Sequence, residues 1–183
     1  KTDPILLRGG KDGLTSITPD DVIGYNNGPD ARYGLGALES NEEIDLVCIP
    51  DLQFLLDHCE AFHSHRDMIG IQTAVLTHCE RMGDRFALLD TPRDLKIEQV
   101  FDYRNKFESS FGALSYPWLT IDNGKGEPVP VPPCGFMAGI CAKYDREVGV
   151  FRAPANVPLE GVMGLYTHMH EGQLAELNEK GVN

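Results

Sequence analysis

The chain has 183 residues, of which 42% are hydrophobic and 24% are charged, a composition typical of one globular domain with its own core. The formal net charge of -12 disfavours binding to nucleic acid or to an anionic membrane surface. No apolar stretch has the length of a membrane span. The five cysteines include no C-x-x-C pair, so they indicate free thiols in a reducing compartment rather than a disulfide framework.

The first half of the chain predicts an irregular beginning followed by a strand and two helices. Residues 1–36 are rich in glycine and turn formers, with a short helix starting at Thr18. The apolar run 44–50, stopped by a proline, predicts a buried strand. Apolar residues at helical spacing then predict two helices, the second of which ends at Gly83.

The second half continues the alternation of strands and helices. Residues 85–90 predict a buried strand, and a helix is expected to begin at Thr91–Asp94. Residues 112–121 predict a strand that Pro117 bends or places at an edge, and 123–133 predict a proline-stiffened loop. Later patterns predict a helix over 135–144, a strand within 160–169 and a helix over 171–180.

These elements predict an α/β fold with a mixed, mainly parallel sheet flanked by helices in a single domain. Residues 44–49, 85–90 and 112–121 are expected to be strands of one sheet. Such a fold invites an enzyme interpretation, and a doubly wound α/β enzyme of unknown substrate is one alternative. However, the chain has no G-x-G-x-x-G, no phosphate-binding P-loop and no G-x-S-x-G motif.

The small residues of the helix after Pro133 are better explained by packing than by ligand binding. Gly135, Gly139 and Ala142 recur on one helical face and are predicted to lie against a packed neighbour, so that Gly139→Leu should cost about 1–3 kcal/mol. Cys134 could act as a nucleophile only with a base, and the sequence assigns none. The exposed acid-base run Asp145–Glu147 is typical of a solvated helix end.

A zinc-binding adaptor is the second alternative, because histidines and cysteines gather between His58 and Cys79. Cys59 and His63 are four residues apart, yet the spacing matches no standard zinc pattern, and Cys59 and Cys79 belong to apolar helical stripes. His168 and His170 could share a strand face but are typical of solvated surface. We therefore predict no catalytic, cofactor-binding or metal-binding residue and no cofactor.

One segment carries a resemblance to a known family. The sequence VPPCGFMAGICAKYDREVGVFRAPAN is similar to the signature region of contractile phage tail sheath proteins. The matching positions are Pro132, Pro133, Gly135, Ala138, Gly139, Ala142, Asp145, Gly149, Val150, Ala153, Pro154, Ala155 and Asn156. Cys134 stands where serine is usual, and Phe151 stands where tryptophan is usual.

Shorter stretches agree with the family in the same order. They are LRGGKDG at 7–13, HCERMGDRFALLD at 78–90, GALSYPWL at 112–119 and LNEKGVN at 177–183. The resemblance therefore covers nearly the whole chain. It divides the chain into a glycine-rich N-terminal segment, residues 1–36, and a conserved sheath core domain, residues 37–183. The resemblance implies that this core lacks the terminal arms of the family.

The resemblance implies a structural subunit rather than an enzyme. Such a subunit polymerises helically around an inner tube and contracts to drive the tube through a target envelope. Its implied partners are other copies, through terminal arms missing here, the inner tail tube, the baseplate and the tail terminator, with neither nucleic acid nor membrane embedding. The implied location is the tail of a phage or phage-tail-like particle assembled in the bacterial cytoplasm. Without arms, these residues are expected to stay monomeric, whereas the full-length subunit forms tubes or sheets.

Overall fold

The computed structural model describes residues 9–183, so that the first two residues of the glycine-rich stretch 7–13 lie outside it. A 3₁₀ turn, Leu14–Ser16, precedes helix α1, Pro19–Ile23. Thr18 caps this helix as its sequence predicts: its side chain accepts from the Asp21 N–H at 3.2 Å, and Asp21 Oδ2 accepts from the Thr18 N–H at 2.9 Å. The antiparallel pair β1, Tyr25–Asn26, and β2, Arg32–Tyr33, leads into a 3₁₀ helix, Gly34–Ser40.

The centre of the fold is a three-stranded parallel sheet. Its strands are β3, Leu46–Cys48, β4, Phe86–Asp90, and β5, Gly112–Ser115, in the order β3-β4-β5. Val47 pairs with Ala87, and Ala87 pairs with Gly112. The prediction that these three segments share one sheet is confirmed, although the third strand ends at Ser115 instead of continuing to 121.

Three helices accompany this sheet. They are α2, Leu52–His58, α3, His65–Met82, and α4, Ile97–Arg104. Helix α3 ends, as predicted, at Gly83, which takes the left-handed conformation with φ 74°. Buried side chains around the parallel sheet form most of the main core. A smaller cluster around Met68 and Ile71 lies beneath α1 and α2.

The prediction that a helix begins at Thr91–Asp94 is wrong, because α4 begins at Ile97. The residues before it direct their backbone groups elsewhere. The Thr91 N–H donates to Ser115 O at 3.3 Å, and the Arg93 N–H donates to Gln53 Oε1 at 3.1 Å. The Gln99 side chain then accepts from the Lys96 N–H at 2.9 Å and so caps the helix one turn later.

A second, antiparallel sheet follows the bend at Pro117. Its strands are β6, Leu119–Asp122, β7, Pro128–Val131, and β8, Val162–Leu165, in the order β7-β6-β8. The loop predicted for 123–133 is therefore wrong in its second part. Pro128 and Pro130 alternate along an edge strand, so their missing N–H groups face away from β6 and cost the ladder no hydrogen bond.

The remaining helices are α5, Cys134–Glu147, and α6, Glu171–Glu179. Helix α5 packs against β3 and β4. After α6 the chain returns to the parallel sheet, where the Asn183 N–H donates to Leu114 O at 2.9 Å and the Tyr116 N–H donates to Asn183 O at 2.7 Å. The strand and helix predicted within 160–180 are both present.

Candidate assembly surface

Large apolar side chains reach solvent in the C-terminal half of the chain. Val150 and Phe151 are each 84% exposed, and Met163 on β8 is 60% exposed. Leu165, the last residue of β8, and Tyr166 are also exposed. Exposed large apolar side chains of this kind mark surfaces that another protein covers. We call residues 148–151 together with Met163–Tyr166 the apolar surface.

The prediction that Gly135, Gly139 and Ala142 pack closely against a neighbour is wrong within the described chain. All three residues are exposed. A Cβ added to Gly135 or Gly139 would meet no heavy atom within 4 Å among the residues described. Helix α5 instead turns Cys134 toward the sheet, so its small-residue face points outward and Gly139→Leu has nothing here to overpack.

After α5 the signature segment forms a turn at Gly149. Gly149 has φ 115°, and the Phe151 ring lies over its α-carbon, where an added Cβ would come within 2.6 Å of a ring carbon. The Arg152 N–H donates to Gly149 O at 3.2 Å and closes the turn. Asp145, Arg146 and Glu147 are all exposed, and the 3.3 Å ion pair between Arg146 and Glu147 is local.

The two edges of the antiparallel sheet differ in what they offer another strand. Pro128 and Pro130 leave the outer edge of β7 without N–H donors at those positions. The outer edge of β8 pairs with no other strand in residues 9–183. Strand addition to this sheet is therefore favoured beside Val162–Leu165.

The histidines and cysteines of the zinc alternative do not converge. Cys59 is buried and its Sγ donates to Leu14 O at 3.0 Å, whereas His63 is exposed. His58 stacks on Phe54. His78 is buried beside Arg85, and burial, followed by the charge of Arg85, lowers the pKa of its imidazole. In residues 9–183 no group of three or more His, Cys, Asp or Glu is arranged to hold a metal ion.

The sequence analysis did not identify one cluster of titratable groups. The Cys134 N–H donates to Asp90 Oδ1 at 2.9 Å, and Cys48 and Asp90 line the same small cavity. Burial raises the pKa of Asp90 to about 6. The adjoining cavity holds only about 10 Å³, the space of one water, which is too small for a substrate. The available signal was that Cys48 and Asp90 end neighbouring predicted parallel strands.

The fold exposes large apolar side chains of the kind that another protein covers. Sequence comparison agrees: residues 27–183 match the family described as "Phage tail sheath protein central domain". The chain therefore belongs to the phage tail sheath protein family. No curated protein matches the sequence. Among residues 9–183, none of the helices is both long and apolar enough to span a bilayer.

Two solved structures are similar to this chain. One is the "anti-feeding prophage (AFP) helical sheath in contracted state", with 27% identity and a TM-score of 0.58 over 80% of this chain and 36% of that chain. The other is the "anti-feeding prophage (AFP) baseplate, 6-fold symmetrised", with 26% identity and a TM-score of 0.52 over 73% of this chain and 36% of that chain. This chain thus spans about a third of the length of each.

Proposed function

We propose that this domain is the central part of a sheath subunit that polymerises helically around an inner tube and contracts to drive the tube through a target envelope. The observation that carries the proposal is the apolar surface at the family's signature segment, where Val150 and Phe151 are each 84% exposed. Identical subunits that meet through two different surfaces build an open helix, which suits a tubular sheath.

The proposed connections between subunits follow the family. Terminal arms outside these residues add strands to the sheets of neighbouring subunits, and the outer edge of β8 is a suitable acceptor. The similar structures include a sheath and a baseplate complex, which supports partners of both kinds. The inner tube, the tail terminator and assembly in the bacterial cytoplasm belong to the proposal. So does the division into residues 1–36 and 37–183.

The proposal assigns no catalytic activity. The family is structural, and the strongest titratable cluster, around Asp90, adjoins a cavity of only about 10 Å³. A substrate-binding cleft has hundreds of cubic ångströms. The enzyme alternative therefore has less support than the sheath subunit.

The test is assembly of the full-length subunit, followed by electron microscopy and sedimentation velocity. We expect the unmodified subunit to form tubes or sheets and Phe151→Asp to prevent or sharply reduce them, because a buried unpaired carboxylate is costly at an interface. Residues 1–183 alone should sediment as a monomer, because the connecting arms lie elsewhere.

Phe54→Asp is the matched control, since Phe54 is also an exposed aromatic residue, 41% exposed, but lies on α2 away from the signature segment. It should assemble like the unmodified subunit. A full-length subunit that stays small and soluble under all salt and pH conditions would contradict the sheath function. Normal assembly of Phe151→Asp would instead show that the apolar surface is not the interface.

A further inference from the structure

Two cysteines from distant parts of the sequence meet at the carboxyl edge of the parallel sheet. Cys48 ends strand β3 and lines the same small cavity as Asp90, and Cys134 begins helix α5, which packs against β3 and β4. Cys48 pairs in register with Leu88, and Asp90, two residues further along β4, faces the same side. The 2.9 Å hydrogen bond from the Cys134 N–H to Asp90 Oδ1 completes the cluster.

The three groups differ in exposure and acidity. Cys48 is half-buried on an edge strand, and the neighbouring Cys134 thiol lowers the pKa of Cys48. Cys134 is fully buried, and the neighbouring Cys48 thiol and burial raise the pKa of Cys134. Asp90, whose pKa is about 6, is an anionic proton acceptor at neutral pH. Cys48 is therefore the accessible nucleophile, and Cys134 is a protected thiol beside a base.

We propose that Cys48 and Cys134 form a site of reversible oxidation, which closes to a disulfide when the protein meets a low-molecular-weight disulfide such as oxidised glutathione. The Cys48 thiolate attacks one sulfur of the oxidant, whose S–S bond breaks and releases one thiolate. Asp90 then takes the Cys134 S–H proton while Cys134 Sγ attacks Cys48 Sγ. The second small thiolate leaves and is protonated. Two protein thiols are oxidised, and the oxidant is reduced to two thiols.

The other three cysteines are poorly placed for this reaction. Cys59 and Cys79 belong to the two core clusters and are 3% and 0% exposed. Cys141 lies further along α5, where burial raises the pKa of its thiol. The proposed chemistry is thus selective for one pair. It joins an edge strand to α5 and does not depend on the proposed sheath function.

The experiment incubates the folded protein with oxidised glutathione, blocks remaining thiols and maps peptides by mass spectrometry without reduction. We expect one linked peptide pair, Cys48 with Cys134, that a dithiol reductant separates. Cys134→Ser should stop at glutathione-modified Cys48, and Cys48→Ser should prevent both products. Cys141→Ser is the matched control and should leave the product and its rate unchanged.

A separate measurement tests whether Asp90 acts as the base. Asp90→Asn keeps an oxygen acceptor for the Cys134 N–H but loses the base, so the mixed disulfide at Cys48 should persist at least about tenfold longer. The first step should accelerate at a lower pH than the reaction of an ordinary cysteine, because the pKa of Cys48 is lowered. If the unmodified protein yields no Cys48–Cys134 link, or links other cysteines equally, the proposal is wrong. This criterion holds even if Asp90→Asn fails to fold.

Discussion

The parallel-sheet half and the antiparallel-sheet half of this domain differ in how far their apolar residues are buried. Four of the five residues of β4 are buried, because helices cover both faces of a parallel sheet. In β8, by contrast, Met163 and Leu165 alternate outward and are exposed. The first half supplies most of the main core, to which Leu177 and Val182 are added from the C-terminal end, and the second half exposes more of its large apolar side chains. Stability and assembly should therefore depend on different residues.

The largest expected contrast compares a buried with an exposed apolar residue. Ile71 on α3 is 0% exposed, so Ile71→Ala should lower the free energy of unfolding by about 2–5 kcal/mol. Phe151→Ala should change it by no more than about 0.5 kcal/mol, because that side chain is 84% exposed. Urea titrations of both variants measure this difference. Equal losses would remove the distinction between the two halves.

The next effect is the pH dependence of stability that arises where the parallel sheet meets α5. Burial raises the pKa of Asp90 from 3.8 to about 6 in the folded state. Well below pH 3.8 the carboxyl group is protonated in both states, and its burial costs little. As the pH rises toward 6 the unfolded state ionises first, so this group's contribution to stability falls by up to about 3 kcal/mol and then levels off.

Asp90→Asn lacks this titration and is the comparison that isolates it. The stability of Asp90→Asn minus that of the unmodified chain should rise between pH 4 and 7 and stay level above pH 7. Urea unfolding at several pH values in that window measures the difference. A difference independent of pH would show that Asp90 does not carry a raised pKa.

Two glycines give a smaller and oppositely signed pair of effects. A Cβ at Gly112 on β5 would collide with Leu76 and lie 3.1 Å from the Ala87 Cβ, so Gly112→Ala should cost about 1–3 kcal/mol. Gly139→Ala has open space within the described chain and should stabilise helix α5 by about 0.5–1 kcal/mol. Thermal melts of the two variants should move in opposite directions. A destabilised Gly139→Ala would restore the close-packing interpretation of α5.

The last expected effect concerns a contact between the two halves. Trp118 is 5% exposed and its Nε1–H donates to Thr91 O at 2.8 Å. Trp118→Phe keeps most of the ring and loses this hydrogen bond, so unfolding should become easier by about 1–2 kcal/mol. Urea titration with Trp118→Tyr as a second variant tests whether the bond or the ring volume matters. No loss in either variant would show that the two sheets are held together by other contacts.

The parallel-sheet half was readable from the sequence because its signals are local and strong. Short apolar runs at 44–50 and 85–90 and the glycine after α3 each correspond to an observed element. The start of α4 was missed because the groups that satisfy Thr91 and Arg93 come from β5 and α2, which are distant in sequence. Strand β7 was missed because alternating prolines resemble a loop until an edge position is known.

The candidate surface was only partly predictable. Resemblance to the sheath family identified the signature segment, yet the outward orientation of Gly139 depends on which face of α5 meets the sheet. The cluster of Cys48, Asp90 and Cys134 required the strand order as well. Spacing in sequence shows which residues share a face, but not what lies opposite that face.

The short connection between the two sheets has a mechanical consequence. Tyr116, Pro117 and Trp118 are buried and too short to span more than about 10 Å. Tyr116 Oη donates to Leu95 O at 3.2 Å, and Trp118 O accepts from the Tyr166 N–H at 2.8 Å. We therefore expect this short, buried connection to hold the two sheets in a fixed relative orientation, so that a force applied at β8 would reach the parallel sheet without passing through a flexible linker.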